Sequence, residues 1–282
     1  IPNPQSPSLW CPQEKKSYNK AKFYLILFKM ISEENKRVVK GTDHTLTTDT
    51  KIGGVFVEQQ NAPFIERRAK VFDRLLEVQK KKMAEIEKKP IKITLKDGKV
   101  VDGIALESTP YSIAKSNLKK SLLGDFLVAK VKYSNKVVDF SSGVVDVDAD
   151  PENPNVEEHD FELWDMDRGL EGDCLIEYLT FEEKLGQHVF WHSSAHILGF
   201  AIEKVYGANL CIGPALNEGF YYDAYMGSKS ISEEKDYKLI KDAAEFVIKA
   251  NYPYQRLNLT KEEALELFQD NPFKVQLIKN KV

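Results

Sequence analysis

PIKITLKDGKVVDG, residues 90–103, decides the first half of the fold. Ile91-Lys92-Ile93-Thr94-Leu95 alternates apolar and polar side chains, the period of a half-buried strand. Lys96-Asp97-Gly98-Lys99 is a tight turn and Val100-Val101 restarts the strand, so the stretch predicts a β-hairpin. Working outward, Ser112 to Leu122 is the expected helix and Phe126 to Val131 the next strand. SSGVVDVDADPENPNVEEHD at 141–160 then breaks the pattern; acidic and rich in Asn and Pro, it predicts a solvated loop. Upstream, PFIERRAKVFDRLLEVQKKKMAEIEK at 63–88 predicts a charged helix with an interrupted apolar stripe of Ile65, Phe72, Leu75, Leu76, Met83 and Ile86. A solvated spacer is its plainer role and a partner-docking helix the sharper one.

The chemistry lies further on, in FWHSSAHILGFAIEKVYG at 190–207. Residues 190–206 hold no Pro and one Gly, and Gly207 supplies a stop. With His192 at zero on a helical wheel, His196 lies at roughly 40°, Gly199 at roughly 340° and Glu203 at roughly 20°. Ile197, Leu198, Ala201, Ile202 and Val205 fall on the opposite side, so the wheel predicts an apolar core face and a separate histidine face. His188 lies one turn earlier on the histidine stripe. Histidines at i and i+4 can share a metal, but only Cys174, Cys211 and His188 are spare ligands nearby and no CxxC or CxxxH follows. They can equally hold a water and a substrate ester through neutral imidazoles, or be plain surface residues.

IGPALNEGFYYD at 212–223 follows. Gly213-Pro214 and Asn217-Glu218-Gly219 are turn formers, and Phe220 to Asp223 is strand-like, with Phe220 and Tyr222 on one face and Tyr221 on the other. Ser232 to Ala250 predicts a helix with Ser232 as N-cap and Leu239, Ile240, Ala243, Phe246 and Val247 as its buried stripe. Thr260-Lys261-Glu262-Glu263 predicts a capping box opening a shorter helix to Phe268.

The 282 residues suffice for two modest domains and an extension. A net charge of −3 argues against tight nonspecific nucleic-acid binding, and Lys115, Lys119 and Lys120 read as a solvated helix face. Three cysteines, Cys11, Cys174 and Cys211, are unlike a secreted disulfide scaffold. The longest apolar run, Phe23 to Phe28, is too short to span a membrane.

Together the motifs resemble the threonyl-tRNA synthetases of the eukaryotic cytoplasmic type. PIKITLKDGKVVDG, TPYSIAK (109–115) and LWDMDRGLEGDCLIEYL (163–179) are similar to that family's TGS domain. WHSSAHILG, CIGPALNEGFYYD and NPFKVQLIKNKV (271–282) are similar to the first part of its editing domain. The resemblance implies an α+β chain with a ubiquitin-like β-grasp over 90–180, carrying the acidic insertion 141–160, and a partial α+β editing domain over 184–282. A charged helix over 63–89 and an extension over 1–62 of uncertain order precede them.

The implied function is threonine charging of tRNA(Thr) and hydrolysis of mischarged seryl-tRNA. In this reading His192, His196 and Lys274 act in editing, Gly213 and Tyr222 line the substrate pocket, and His188 has no catalytic role. No metal or cofactor is expected in this chain; ATP, Mg and Zn belong to an aminoacylation core outside it, where threonine and ATP also bind. A homodimer is expected only of the full-length enzyme, the location is cytoplasmic, and no membrane partner is implied. The chain starts at Ile1 and lacks the CxxxH element with which the family completes the editing pocket, so it is expected to be a piece of a longer protein, inactive in aminoacylation and incomplete for editing by itself, with Met30 a plausible start. Alternatives are a stand-alone TGS-bearing regulatory protein without catalysis and a zinc-dependent hydrolase using the HxxxH pair.

Overall fold

The structure, a computed structural model, describes residues 53–140 and 160–281. The Phe23–Phe28 run, Met30 and most of the expected extension lie outside the described residues, as does the acidic stretch except Asp160. Helix α1 (Pro63–Glu85) opens on a proline whose fixed φ suits the first helical position. Its apolar stripe is half-buried, with Leu75 fully covered.

Alternation then builds a sheet. In β1 (Pro90–Leu95) Ile91, Ile93 and Leu95 are buried. β2 (Val100–Ile104) pairs with it antiparallel, Ile93 opposite Val101. The Lys99 N–H donates to Asp97 Oδ1 at 3.0 Å, which closes the turn. Helix α2 (Pro110–Asn117) starts two residues before the expected Ser112 because Thr109 and Ser112 form a reciprocal capping box around Pro110. It stops at Asn117, and a 3₁₀ turn covers Lys120–Leu122, so the expected single helix to Leu122 is two pieces.

Strands β3 (Val128–Lys136), β4 (Glu162–Trp164) and β5 (Gly172–Leu179) complete five strands in the order β2-β1-β5-β3-β4. The strand expected over 126–131 starts later and runs on to Lys136, because Lys132 and Lys136 pair with Leu175 and Gly172. β1 and β5 are parallel, and the other pairs are antiparallel. Ile91, Ile93, Ile113, Val131, Trp164 and Ile176 meet in the core under α2. Trp164 is fully buried; its Nε1–H donates to Arg168 O at 3.2 Å, and the Arg168 guanidinium lies 3.3 Å above its ring.

The second unit is built around helix α3 (Lys184–Tyr206). Gly207, at φ 65°, ends it in the left-handed conformation and donates to Glu203 O. Two short ladders follow: β6 (Asn209–Leu210) with β9 (Ala224–Tyr225), and β7 (Ala215–Leu216) with β8 (Gly219–Phe220). The strand expected over Phe220–Asp223 is therefore shorter. Its side-chain pattern survives without a ladder, since Phe220 reaches Trp191 and Tyr222 reaches His196, both on α3, while Tyr221 is exposed.

Helix α4 (Glu233–Ala250) corrects two expectations. Ser232 occupies the N-cap, but its side chain makes no capping bond. Asp236 serves instead, accepting from the Ser232 N–H at 2.8 Å and from the Tyr206 hydroxyl at 2.6 Å. Leu239 and Phe246 are about half exposed, at 50% and 47%, not buried. The reason is that α4 meets α3 through alanines, Ala243 and Ala244 against Ala201, and the larger residues fall on the flank. Phe246 there carries the Lys204 ammonium, 4.5 Å from its ring. Helix α5 (Lys261–Leu267) has the expected Thr260–Glu263 capping box, and α6 (Pro272–Lys281) follows.

Residues 53–62 and α1 pack on this second unit although the sheet separates them from it in sequence. Gln59 and Asn61 N–H groups donate to Tyr206 O and Lys204 O at 3.0 and 2.9 Å. Arg67 donates to Leu267 O at 2.8 Å and pairs with Asp270, and Arg74 pairs with Glu266. Thus α1 is not a solvated spacer: it packs on its own chain through Arg67 and Arg74. No helix among the described residues is long and apolar enough to cross a membrane.

Two stability predictions follow from this packing. Trp164→Ala empties a fully buried site, and denaturant unfolding should show a loss of about 3–5 kcal/mol. Asp236 is held well below the usual carboxylate range, chiefly by the Tyr206 hydroxyl and the Ser232 N–H. A depressed folded pKa stabilises above the unfolded value and is lost as pH falls through the folded one. Thermal melts should therefore lose stability below about pH 4, the unfolded aspartate value, and Asp236→Asn should flatten that part of the profile. A wild-type acid profile in the Asp236→Asn variant would contradict this assignment.

Candidate active site

Every residue of α3 except Lys184 is at least partly covered. The wheel's division into a core face and an open histidine face is therefore too simple. Phe190 and Trp191 pack against Ala215 and Phe220, Ala201 against α4, and Ile202 and Tyr206 against Ala208, with Phe56 of the 53–62 strap beside them. Polar groups on such a helix must find partners. Ser194 Oγ donates to Phe190 O at 2.8 Å.

His192 and His196, both half-buried, satisfy each other. Their Nε2 atoms are 2.8 Å apart and their ring centroids 4.7 Å. At that distance one Nε2 carries the hydrogen and the other presents a lone pair, so the pair holds one donor and one acceptor at a single point. A water or carbonyl could reach both nitrogens only by displacing that bond. His188 stands 6.5 Å from His192 by ring centroid, one turn outside the pair.

Tyr222 forms the adjoining wall, edge-on to His196 at 6.1 Å. Its ring lies in a slot between Gly199 and Gly213. A Cβ on Gly199 would come within 2.6 Å of Tyr222 Cε2, and one on Gly213 would press still closer on the same ring. Both positions exclude a side chain because the aromatic ring occupies its space. The strand after Gly213 and the helix bearing Gly199 are thus locked together through Tyr222, which fixes His196 against it.

Lys274 enters from the first turn of α6 and is 92% covered, with 8% of its surface exposed. Asn271 holds that turn: its Oδ1 accepts from the Phe273 and Lys274 N–H groups at 3.0 and 3.1 Å, and its Nδ2 donates to Leu210 O at 2.8 Å. Lys274 therefore sits beside β6 and Cys211. Burial pushes the Cys211 thiol up, with Asp223 adding to the shift and Lys274 opposing it. The ammonium also acts on Glu203, whose carboxyl is pushed up by burial while Arg68 draws it down.

The structure joins His192, His196, Gly213 and Tyr222 directly, and places Lys274 in the turn that Asn271 ties to β6. Among the described residues no three His, Cys, Asp or Glu side chains are grouped to hold a metal. Sequence reading missed Arg68, Asp270 and Asn271. Only Asn271, a cap-forming residue just before Pro272, carried a local signal.

No family model matches the chain. It is similar to a probable cytoplasmic threonine–tRNA ligase 1 of Dictyostelium discoideum, 36% identical over 225 residues, covering 80% of this chain and 28% of that protein. It is also similar to the cytoplasmic threonine–tRNA ligase 1 of Bos taurus, 39% identical over 199 residues, covering 71% of this chain and 23% of the relative. The cytoplasmic threonine–tRNA ligase of Caenorhabditis elegans is 36% identical over 219 residues, covering 78% and 26%. The chain thus spans 23–28% of the length of these curated relatives and matches an N-terminal portion of them.

If Tyr222 fills the slot as described, Gly213→Ala should destabilise the protein by about 1–3 kcal/mol through overpacking. Placing the same change in a Tyr222→Ala background should remove most of that cost. Additive effects in the double-mutant cycle would mean that the ring is not what Gly213 accommodates.

Proposed function

We propose that this chain, which matches an N-terminal portion of the eukaryotic threonine–tRNA ligases, works as the proofreading part of such an enzyme. In this reading it contributes to threonine charging of tRNA(Thr) by hydrolysing mischarged seryl-tRNA. Serine and threonine differ by one methyl group, worth only about 1–3 kcal/mol of discrimination, so a second hydrolytic site is needed. The observation that carries the reading is the His192–His196 pair, 2.8 Å apart by Nε2, set against a tyrosine wall held by two glycines.

The step is ester hydrolysis without an enzyme nucleophile. A water that displaces the Nε2–Nε2 bond and is held by the acceptor imidazole attacks the seryl carbonyl carbon. The bond from that carbon to the ribose oxygen breaks, and the water's proton passes to the leaving oxygen, giving serine and free tRNA. Lys274 would offset the charge that develops on the carbonyl oxygen, where a fixed cation contributes most. Gly213 and Tyr222 would line the pocket for the serine side.

We read residues 90–180 as the TGS β-grasp, supported by the β2-β1-β5-β3-β4 order, the parallel β1–β5 pair and α2 packed on one face. Residues 184–282 would be the partial editing domain, with the 63–89 helix and the 1–62 extension before the sheet. ATP, Mg, Zn and threonine would act in an aminoacylation core outside these residues, and dimerisation would belong to the full-length enzyme. The cytoplasmic relatives support a cytoplasmic location.

The test uses the full-length enzyme and mischarged seryl-tRNA(Thr). His192→Ala and His196→Ala should each slow deacylation by about 10²–10⁴-fold, the usual worth of a positioned acid–base group, while threonine charging stays unchanged. Deacylation at the wild-type rate in both variants would overturn the proposal.

A further inference from the structure

Residues 252–260 belong to no helix or strand, yet they are held by three other parts of the chain. Gln79 of α1 grips their backbone as a neighbouring strand would: its Nε2 donates to Arg256 O and its Oε1 accepts from the Asn258 N–H, both at 2.8 Å. Asn258 Nδ2 donates to Phe140 O of the sheet unit at 2.8 Å. On α3, Ser193 O accepts from the Tyr254 hydroxyl at 3.2 Å. Pro253 fixes the backbone just before that tyrosine.

Tyr254 is nevertheless 67% exposed. Burying a ring takes apolar surface out of water and stabilises a fold; here the tip is tied down and much of the ring is left open. The tie is to Ser193, one Cα step of about 3.8 Å beyond His192. Two residues after Tyr254, Arg256 is exposed and, among the described residues, has no ion pair. Lys82 borders the next cleft, beside Asn258 and Phe140, and is unpaired in the same sense. Glu263, the acid on that cleft, is committed to the Thr260 N–H at 2.9 Å. A fixed aromatic ring followed by two unpaired cations therefore leads away from the helix that carries the histidine pair.

Resting on the editing reading above, we propose that this strip binds the single-stranded end of the seryl-RNA, with a nucleobase stacked on the Tyr254 ring and a phosphate on the Arg256 guanidinium. The substrate of that reading is an ester on a ribose, so a base and a phosphate must come to lie close to the histidines. Every base has a π-face, so an aromatic platform accepts any of them, and a guanidinium matches a phosphate through its planar fork. A platform already fixed in place loses little freedom on binding, and the hydroxyl tie and the Gln79 grip supply that fixity.

The test compares two substrates of the full-length ligase. One is a short single-stranded seryl-oligoribonucleotide, free of contacts elsewhere on the tRNA; the other is a seryl ester of base-free ribose. Tyr254→Ala should lower the ratio of kcat/KM for the oligonucleotide to that for the ribose ester by about 5–150-fold, the range that stacking one base covers, through KM and not kcat. Tyr254→Trp should restore the ratio, and Tyr254→Phe should keep most of it. Arg256→Gln should reduce the slope of log kcat/KM for the oligonucleotide against log salt by about 0.7, one phosphate on a single strand.

A Tyr254 that only ties the chain together slows both substrates alike and leaves their ratio unchanged. That result, or an unchanged salt slope in Arg256→Gln, overturns the inference alone. So does a wild-type enzyme that edits seryl-tRNA(Thr) but gains nothing from the oligonucleotide over the ribose ester. Normal editing in His192→Ala overturns the editing reading, and this inference with it. Should Tyr254→Ala fail to fold, as judged by its melt, Tyr254→Trp and Arg256→Gln still decide: a folded Tyr254→Trp variant with a lowered ratio contradicts stacking.

Discussion

A helix of 23 residues with a single exposed position is the constraint on which the second unit depends. Most of α3 is covered, so several of its polar groups take partners inside the protein. Ser194 bonds back to its own helix, the histidines bond to each other, Glu203 takes Arg68, and Tyr206 takes Asp236. The surrounding elements are the suppliers of those partners as much as the cover for an apolar stripe. The same burial that forces the pairing also lowers the local dielectric, which strengthens each of these hydrogen bonds and ion pairs.

The sheet unit solves a similar problem with different residues. Glu171 is 1% exposed, yet lies beside Arg168 at 3.3 Å and Lys136 at 3.5 Å. Arg168 in turn covers Trp164, and Tyr133 meets the same indole edge-on at 5.4 Å. A charged group thus closes the end of an apolar core, and breaking either partner would strand a buried charge. Cys174 is enclosed in the same core, and burial pushes its thiol up to about 12, which keeps it unreactive as a thiolate at neutral pH.

Local patterns were legible in the sequence where local forces decide. The 90–104 hairpin and the Thr260 capping box need only near neighbours, and both are found. The i, i+4 spacing placed the two histidines together for the same reason. The α4 stripe was misread because hydrophobicity ranks Leu239 and Phe246 above alanine, while close approach of two helices favours the smaller side chain. Tyr222 in its glycine slot was half legible: the residue types were visible, the clash that requires them was not. The α1 contacts were not legible at all. Arg67 and Arg68 meet partners up to 203 residues away, and nothing in their own neighbourhood distinguishes them from solvated charges.

That separation has a consequence for how the chain matures. The 53–62 strap and α1 leave the ribosome first, but the helices they dock on come after the whole sheet unit. At about 5–20 residues per second, Arg67 waits roughly 10–40 s for Asp270 to be made. During that interval the sheet can close by itself, because its strands all lie between the two halves of the docking surface. The second unit can only be assembled late and around both ends of an already folded insert. The charged helix is therefore a nascent segment with a long exposed lifetime, and its high charge keeps it soluble until its partners arrive.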